Sequence, residues 1–461
     1  MDELQKGKKR IAVCNMGCRV NQFEGSSMAS QAEAEGYQQV GLRESPDVVV
    51  VNTCSVTSES DKQARQSIRR IARENPEAKI MVTGCYAQRN PEALAQLPGV
   101  ELVFGNREKA QFPQELKIVS AEQISQAGAV EPTTHVAPME HRDLSLMASP
   151  TEDGPLLEAD AFEGQARAFI QVQNGCDKSC TFCVIPSLRG ESRSQSVGWI
   201  VAQAERFLAH GYGELVLTGI DLGCYGRDLP QPSSLAELVQ QLLTLPQLKR
   251  LRLSSLDPMD LDAPLIELVG SEPRICPHLH LSIQSGDDKV LKQMHRETTR
   301  EALIQSVQKL RMLRPELVLG ADIIVGFPTE DEAAFQQSCQ LVEQLEIALP
   351  HIFRYSDRPG TPASEIPHRF RVTEGEIKQR ARALEQVGRG VWQRVAQRLV
   401  GQQLELLVEQ INGEGEAVGK SEGFMDLKLP TGGGGLKPCQ RVAVEVTGLE
   451  LEKRTLLARI L

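Results

Sequence analysis

The chain of 461 residues has no apolar run approaching the roughly 18 residues of a membrane-spanning helix. It has no excess of positive charge either, since 51 Lys and Arg stand against 61 Asp and Glu, a net charge of −10. The chain as a whole gives no electrostatic footing for nucleic acid, so any such contact must rest on a local patch. An apolar leader is missing from the first ten residues, MDELQKGKKR, and the eleven cysteines are an odd number. Both features argue against a disulfide-stapled secreted fold and predict a cytoplasmic protein with reduced thiols. Composition is otherwise ordinary, 41% hydrophobic and 24% charged, and the length suits about three domains of roughly 150 residues.

What is present is a tight group of thiols. Residues 174–186, NGCDKSCTFCVIP, carry Cys176, Cys180 and Cys183 with no fourth cysteine in reach. A structural zinc site takes four ligands, so zinc here would need a remote fourth. A cubic 4Fe–4S cluster on three thiolates leaves one iron open to a small molecule. Unligated thiols are the third alternative, and clustered cysteines in a reducing compartment more often bind metal or do chemistry.

Along residues 8–106, short apolar runs alternate with amphipathic stretches. The runs are RIAVC (10–14), DVVVVN (47–52), KIMVTG (79–84) and VELVFG (100–105), and the stretches 21–36, 58–74 and 90–97 suit helices. This alternation predicts an open parallel α/β domain. Cys18, Cys54 and Cys85 each stand just past the first, second and third runs. Parallel strands place their carboxyl ends on one edge, where open α/β sheets hold ligands, so these thiols are expected to meet there as a second trio. The alternative is three unrelated buried cysteines, and Cys14, inside the first run, reads as a small buried side chain.

Residues 107–165 have scattered Pro, Gly and acids without a period, and read as a linker holding one or two short strands. Over 166–375 the alternation resumes, with runs at 168–173, 214–219, 249–255, 278–284, 317–325 and 347–353. Six strand–helix units suit a parallel barrel or partial barrel, with its chemistry at the carboxyl ends of the strands. Residues 376–398 read as a connecting helix. Short strands and Gly-rich turns over 399–461 predict a small antiparallel β-barrel, with the glycines at 432–435 in a turn.

CDKSCTFC matches the CxxxCxxC signature of radical SAM enzymes. Joined to GCRVN, NTCSVT and TGCYAQ upstream, it resembles the methylthiotransferases over nearly the whole chain, with only 106–165 unexplained. The resemblance implies an amino-terminal cluster domain, a radical SAM partial (β/α)6 barrel and a TRAM-like terminal barrel. It also implies two 4Fe–4S clusters, one on Cys176, Cys180 and Cys183 and an auxiliary one on Cys18, Cys54 and Cys85. Phe182 then packs near the adenine of S-adenosylmethionine, or simply in the core. Gly219, Ser254, Gln284 and Asp322, taken to end or border barrel strands, are expected to face that cosubstrate. LHLSIQSGDDKVLKQMHR and ADIIVGFPTE are typical family wordings, although their glycines and acids also suit turns and helix caps.

Three family branches act on isopentenyladenosine in tRNA, threonylcarbamoyladenosine in tRNA, or an aspartate of a ribosomal protein. GCRVNQFE (17–24) and LTGIDLGCYGRDL (217–229) are most similar to the threonylcarbamoyladenosine branch, and GCPKN wording of the ribosomal-protein branch is absent. Cys224 departs from that branch and reads as an incidental small side chain. The resemblance implies methylthiolation at C2 of the modified adenine beside the anticodon, using a reduced electron donor protein and a sulfur donor, with no membrane. Such an unactivated C–H bond calls for a cofactor, and no catalytic acid or base stands out. For RNA, Lys62, Arg65, Arg69 and Arg73 share a helical face with Arg70 beside them. Lys378, Arg380, Arg382, Arg389, Arg394 and Arg398 form a second basic group. Residues 401–461 carry nine acids against seven bases, so charge alone does not mark the last barrel as RNA-binding. Arg227 is a candidate for pairing the substrate's polar groups. A zinc-binding adaptor or a non-catalytic iron–sulfur scaffold is the competing class.

Overall fold

Four consecutive valines, Val48–Val51, show how the amino-terminal sheet is built. Side chains alternate across a strand, so Val49 and Val51 join one apolar layer while Val48 and Val50 join the other. This computed structural model describes residues 8–120, 132–137, 157, 159, 162, 165–430 and 435–461. The chain forms two compact units. One comprises Met1–Phe162, Asn174–Lys178 and Cys183–Trp199; the other comprises Glu163–Gln173, Ser179–Phe182 and Ile200–Leu461.

In the first unit, β1 (Arg10–Asn15), β2 (Gln38–Gln39), β3 (Val48–Thr53), β4 (Lys79–Gly84), β5 (Val100–Phe104) and β6 (Thr133–His135) form a sheet in the order β2-β1-β3-β4-β5-β6. Every pairing is parallel. Helix α1 (Arg19–Ala34) covers one face with Met28 and Ala32. Helix α2 (Ser58–Glu74) covers the other through the stripe Ala64, Ile68 and Ile71. Thr57 caps α2, accepting the Ser60 N–H at 3.1 Å. The short helices α3 (Cys85–Arg89) and α4 (Pro91–Ala95) follow β4, where one helix was expected. Asn90 divides them, accepting the Ala93 N–H.

The expected linker at 107–165 is corrected at its start. Helix α5 (Phe112–Ser120) occupies it because Phe112, Leu116 and Val119 recur at helical spacing and bury against Leu102 and Phe104. The nine-residue helix is too short to show against the aperiodic residues that follow. Thr133–His135 then adds the sixth strand beside β5.

The second unit opens with β7 (Ala168–Gln171). The two-residue strands β8 (Gln173–Asn174) and β9 (Arg193–Ser194) flank the cysteine motif and helix α6 (Ile185–Arg189), and of these β9 and α6 belong to the first unit. Helix α7 (Val197–Ala209) and β10 (Leu215–Thr218) follow, then α8 (Leu235–Leu242) and β11 (Leu251–Leu253). Beyond Ser254 come β12 (Ser255–Leu256), α9 (Ala263–Ser271), β13 (His278–Gln284), α10 (Asp288–Gln293) and α11 (Arg300–Leu313). The series closes with β14 (Val318–Val325), α12 (Glu332–Gln344) and β15 (Ile347–Arg354). Strand orders β11-β10-β7 and β12-β13-β14-β15 are wholly parallel, and β12 resumes the line of β11 one residue on. This is a partial barrel of six strand–helix units.

Helix α13 (Glu374–Leu399), started by a capping box of Thr373 and Glu376, leads to the terminal barrel. Strands β16 (Gln403–Ile411), β17 (Ala417–Lys420), β18 (Asp426–Leu429), β19 (Arg441–Glu450) and β20 (Thr455–Ile460) close in the order β16-β17-β18-β20-β19. The wholly antiparallel barrel expected from sequence is corrected at one seam, where β18 and β20 run parallel. Parity forces this, since an odd number of strands cannot alternate direction around a closed ring. Of the turn expected at 432–435, only Gly435 lies within the described residues. No helix among the described residues is long and apolar enough to cross a membrane.

One loop docks the terminal barrel on the partial barrel. Phe424, between β17 and β18, lies 4.8 Å from the Arg252 guanidinium, 5.5 Å from that of Arg167 and 4.9 Å from Lys420 Nζ, with the His278 ring at 5.0 Å. Its φ is +65°, a conformation that a bulky residue adopts only when its surroundings enforce it. Beneath it the buried Glu214 pairs with Arg252, Arg250 and Arg167. Burial alone would raise the Glu214 carboxyl, but these guanidinium groups hold it at about 2. Arg167 continues to Glu409 at 2.7 Å, joining the two barrels. Replacing Phe424 with alanine is expected to cost about 1–3 kcal/mol in urea unfolding, through lost ring packing and cation–π attraction. Unchanged stability would show that the ring does not hold the dock.

Candidate active site

Adjacent strands β1, β3 and β4 end at one edge of the amino-terminal sheet, and a cysteine follows each end. Cys18 is the N-cap of α1, Cys54 directly follows β3, and Cys85 opens α3. Gly17, at φ +87°, lets the first of these turns approach the second, since a Cβ there would fall 2.7 Å from Cys54 Sγ. Burial pushes the Cys54 thiol up to about 11, with nearby Cys85 and Cys18 adding to the shift. The sheet therefore gathers the three thiols expected to meet. Cys14 is half-buried beside the apolar layer on the α2 face, not at this edge.

A buried charge network surrounds the edge. Arg189, at the end of α6, donates from Nε to Cys85 Sγ at 3.3 Å and from Nη1 to Glu24 at 2.7 Å. Its Nη2 reaches Asn21 Oδ1 at 2.6 Å. Lys109 closes on Glu24 at 2.5 Å and on Asn52 Oδ1 at 3.0 Å. Asn21 and Asn52 carry the network into the backbone: Asn21 Nδ2 donates to the Met16 and Thr53 carbonyls, and Asn52 Nδ2 to the Asn21 carbonyl. Burial would raise the Glu24 carboxyl, but Arg189 and Lys109 outweigh it and hold it at about 2. None of these five residues was singled out from sequence. Asn21, Glu24 and Asn52 lie inside the quoted cysteine wordings, whereas Arg189 and Lys109 carry no local signal.

The chemistry of both thiol trios suits iron–sulfur ligation. All six cysteines are free of disulfides. Around the loop motif, the Ile185 N–H donates to Cys183 Sγ at 3.4 Å, and Arg296 Nη1 lies 3.7 Å from Cys180 Sγ. Arg296 is fixed by Asp257 at 2.7 Å and by the Ser282 carbonyl. Cys176 donates its N–H to the Gly190 carbonyl, and the Thr181 backbone joins Met294 and Ala363. N–H donors and cations beside sulfur favour the thiolate form that a cluster requires.

The other expected residues divide. Phe182 packs against Val290, Met294 and Phe327. Gly219 directly follows β10, Ser254 separates β11 from β12, and Gln284 ends β13 at φ +71°. Ser254 Oγ is buried without a hydrogen-bond partner among the described residues. Asp322 is corrected: it sits within β14, three residues before the strand's end, and its Oδ1 lies 2.8 Å from His280 Nε2. Its cross-strand partner His351 also reaches the same oxygen, so the carboxylate is taken up by side chains of the flanking strands. Cys224 is buried with its Sγ 3.0 Å from Asp221 Oδ2, and Arg227 is taken by Asp260 at 3.0 Å.

Of the basic stripe on α2, Arg69, Arg70 and Arg73 are exposed, while Arg65 bonds the Tyr86 hydroxyl and Lys62 stands 3.9 Å from Glu59. The second basic group is largely neutralised. Lys378 pairs with Glu374, Arg380 with Glu330, Arg389 with Glu385 and Arg398 with Glu346, which leaves Arg382 and Arg394.

Replacing Glu24 with glutamine strands Arg189 and Lys109 as buried cations, at an expected cost of about 3–5 kcal/mol in the folding of this unit. The native Glu24 contribution is fully present above the ordinary carboxylate value of 4.5 and is lost as pH falls toward about 2. Thermal unfolding against pH checks both statements, since the variant should lose that acid-dependent component.

Residues 10–105 match the model of Uncharacterized protein family UPF0004, and residues 170–342 match the radical SAM superfamily. The fold is similar to that of the radical S-adenosylmethionine methyltransferase TsrM from Kitasatospora setae, at TM-score 0.56 and 17% identity over 77% of each chain. A protein of Rickettsia prowazekii named threonylcarbamoyladenosine tRNA methylthiotransferase MtaB is 39% identical over 92% of this chain and 93% of its own. One of the same name from Thermotoga maritima is 35% identical over 90% of each chain. A tRNA-2-methylthio-N(6)-dimethylallyladenosine synthase from Roseobacter denitrificans is 32% identical over 90% of this chain and 91% of its own. With two family models in tandem and relatives aligned nearly end to end, the chain belongs to the radical SAM methylthiotransferases, in the branch of the MtaB proteins.

Proposed function

We propose that this chain is a tRNA methylthiotransferase that adds a methylthio group to C2 of N6-threonylcarbamoyladenosine beside the anticodon. The observation that carries the reading is the 39% identity to an MtaB protein over more than nine-tenths of both chains. In this reading Cys176, Cys180 and Cys183 hold the radical SAM cluster, and Cys18, Cys54 and Cys85 hold an auxiliary 4Fe–4S cluster. Bound there, the clusters and S-adenosylmethionine supply hydrogen abstraction from the unactivated C–H bond and delivery of methylated sulfur.

The chain's own residues position and insulate. Arg296 and the Ile185 N–H stand beside the Cys180 and Cys183 sulfurs as hydrogen-bond donors. Arg189 donates to Cys85 Sγ and locks its own place through Glu24. Phe182, Gly219, Ser254 and Gln284 line the S-adenosylmethionine seat, where the unpaired Ser254 hydroxyl is a ready hydrogen-bond partner. Arg69, Arg70 and Arg73 take tRNA phosphates. The reaction takes place in the cytoplasm and draws on a reduced electron donor protein and a separate sulfur donor.

Threonylcarbamoyladenosine carries a carboxylate and a hydroxyl, whereas dimethylallyladenosine ends in an apolar tail. A site built to pair polar groups rejects an analogue lacking them by roughly 10⁴-fold, because its own donors are left unpaired. The reconstituted enzyme is therefore expected to methylthiolate tRNA bearing threonylcarbamoyladenosine and to turn over tRNA with dimethylallyladenosine far more slowly, read by nucleoside mass spectrometry. Equal turnover of the two would overturn the substrate assignment. An absence of reductive S-adenosylmethionine cleavage would favour the scaffold class.

A further inference from the structure

Three adjacent strands of the partial barrel each contribute one metal-ligating side chain at neighbouring levels: His280 on β13, Asp322 on β14 and His351 on β15. Asp322 and His351 are direct cross-strand partners. His280 pairs in register with Gly320, and its ring lies over that residue, where a Cβ would come within 2.5 Å of Nδ1. Glycine at 320 thus makes room for an imidazole that aims its Nε2 toward Asp322.

The donor atoms converge. His280 Nε2 lies 2.8 Å and His351 Nδ1 3.5 Å from the same oxygen, Asp322 Oδ1. All three ligand atoms lie within 4.8 Å of one another. Neighbouring donors around a tetrahedral ion, each about 2.1 Å from it, stand about 3.4 Å apart. The observed separations bracket that spacing, so an ion can enter with small side-chain shifts and no backbone movement. Two imidazoles and one carboxylate are a donor set for divalent first-row metals, and three protein ligands leave coordination positions open.

Access is available from the outer side of β15. The His351 side chain keeps 66% of its surface exposed. It lines a groove of about 680 Å³ with Phe353, Arg354, Lys378, Arg382 and Arg454. An ion at this level lies among side chains on strands, not on the cysteine loop, and its ligand atoms are nitrogen and oxygen rather than sulfur.

We propose that His280, Asp322 and His351 form a mononuclear site for a divalent transition-metal ion, with its open position facing the groove beside β15. The proposal rests on this geometry alone and stands apart from the choice of RNA substrate.

The test uses the full chain, anaerobically reconstituted with iron and sulfide and left unreduced, with Mn²⁺ as the probe. Loss of the free-ion signal in electron paramagnetic resonance should report one Mn²⁺ per chain, released by an equivalent of Zn²⁺, which such ligands prefer. His351→Ala, at an exposed position, should weaken binding by at least about tenfold with unchanged iron content and circular dichroism. Asp322→Asn should do the same where it folds, and Cys224→Ser should leave binding intact. Failure of both Mn²⁺ and Zn²⁺ to bind would overturn the site. So would affinity unchanged in His351→Ala, or binding lost only in Cys224→Ser, which would move the ion to the Asp221, Cys224 and Asp260 cluster.

Discussion

Glu24 has no access to water and faces two cations, Arg189 and Lys109, that have none either. An isolated buried charge is prohibitively unfavourable, so the three side chains must stay together or the unit must open. They come from α1, from the single turn before α5, and from the helix that follows the cysteine loop. That constraint fixes where the loop's downstream end lies within its unit, and through Arg189 it places a guanidinium on Cys85. Two cations against one carboxylate leave positive charge beside three cysteines. Burial pushes the free Cys54 thiol up, and the cations are placed to balance the negative charge of thiolates once a metal is bound.

A related arrangement underlies the terminal barrel. Glu214 gathers three arginines at the start of β10, and Phe424 lies over two of them. The interface stays ordered because the guanidinium groups are paired on one side and stacked on the other. The terminal barrel is thereby held to the partial barrel by side chains from both, in addition to α13. Most basic residues of α13 are spent on ion pairs with nearby acids, which leaves Arg382 and Arg394 free of ion-pair partners among the described residues. Counting charges along the chain overstates that helix as a nucleic-acid surface.

The legible parts of the fold were those that depend on local periodicity. Runs such as DVVVVN and HLHLSIQ are strands because alternating faces are both buried, and the cysteines beyond three of them gather because parallel strands share an edge. Helix α5 escaped because its three apolar contacts sit beside a long aperiodic stretch. Arg189 and Lys109 escaped for a different reason: a lone cation shows nothing of its partner 165 or 85 residues away. The parallel seam between β18 and β20 follows from ring closure, which no strand signals by itself. His280 and Asp322 lie in wordings that sequence reading linked to the family, yet only adjacency of β13, β14 and β15 brings His351 to them.

The central claim is that two thiol trios, one from strand ends and one from a single loop, build two separate iron–sulfur centres. The direct measurement is iron content and Mössbauer spectroscopy of the reconstituted Cys176/Cys180/Cys183→Ala variant. The two-centre arrangement predicts a folded protein that keeps about four irons per chain, as one cubic cluster on the remaining trio. A folded variant with no bound iron would contradict it.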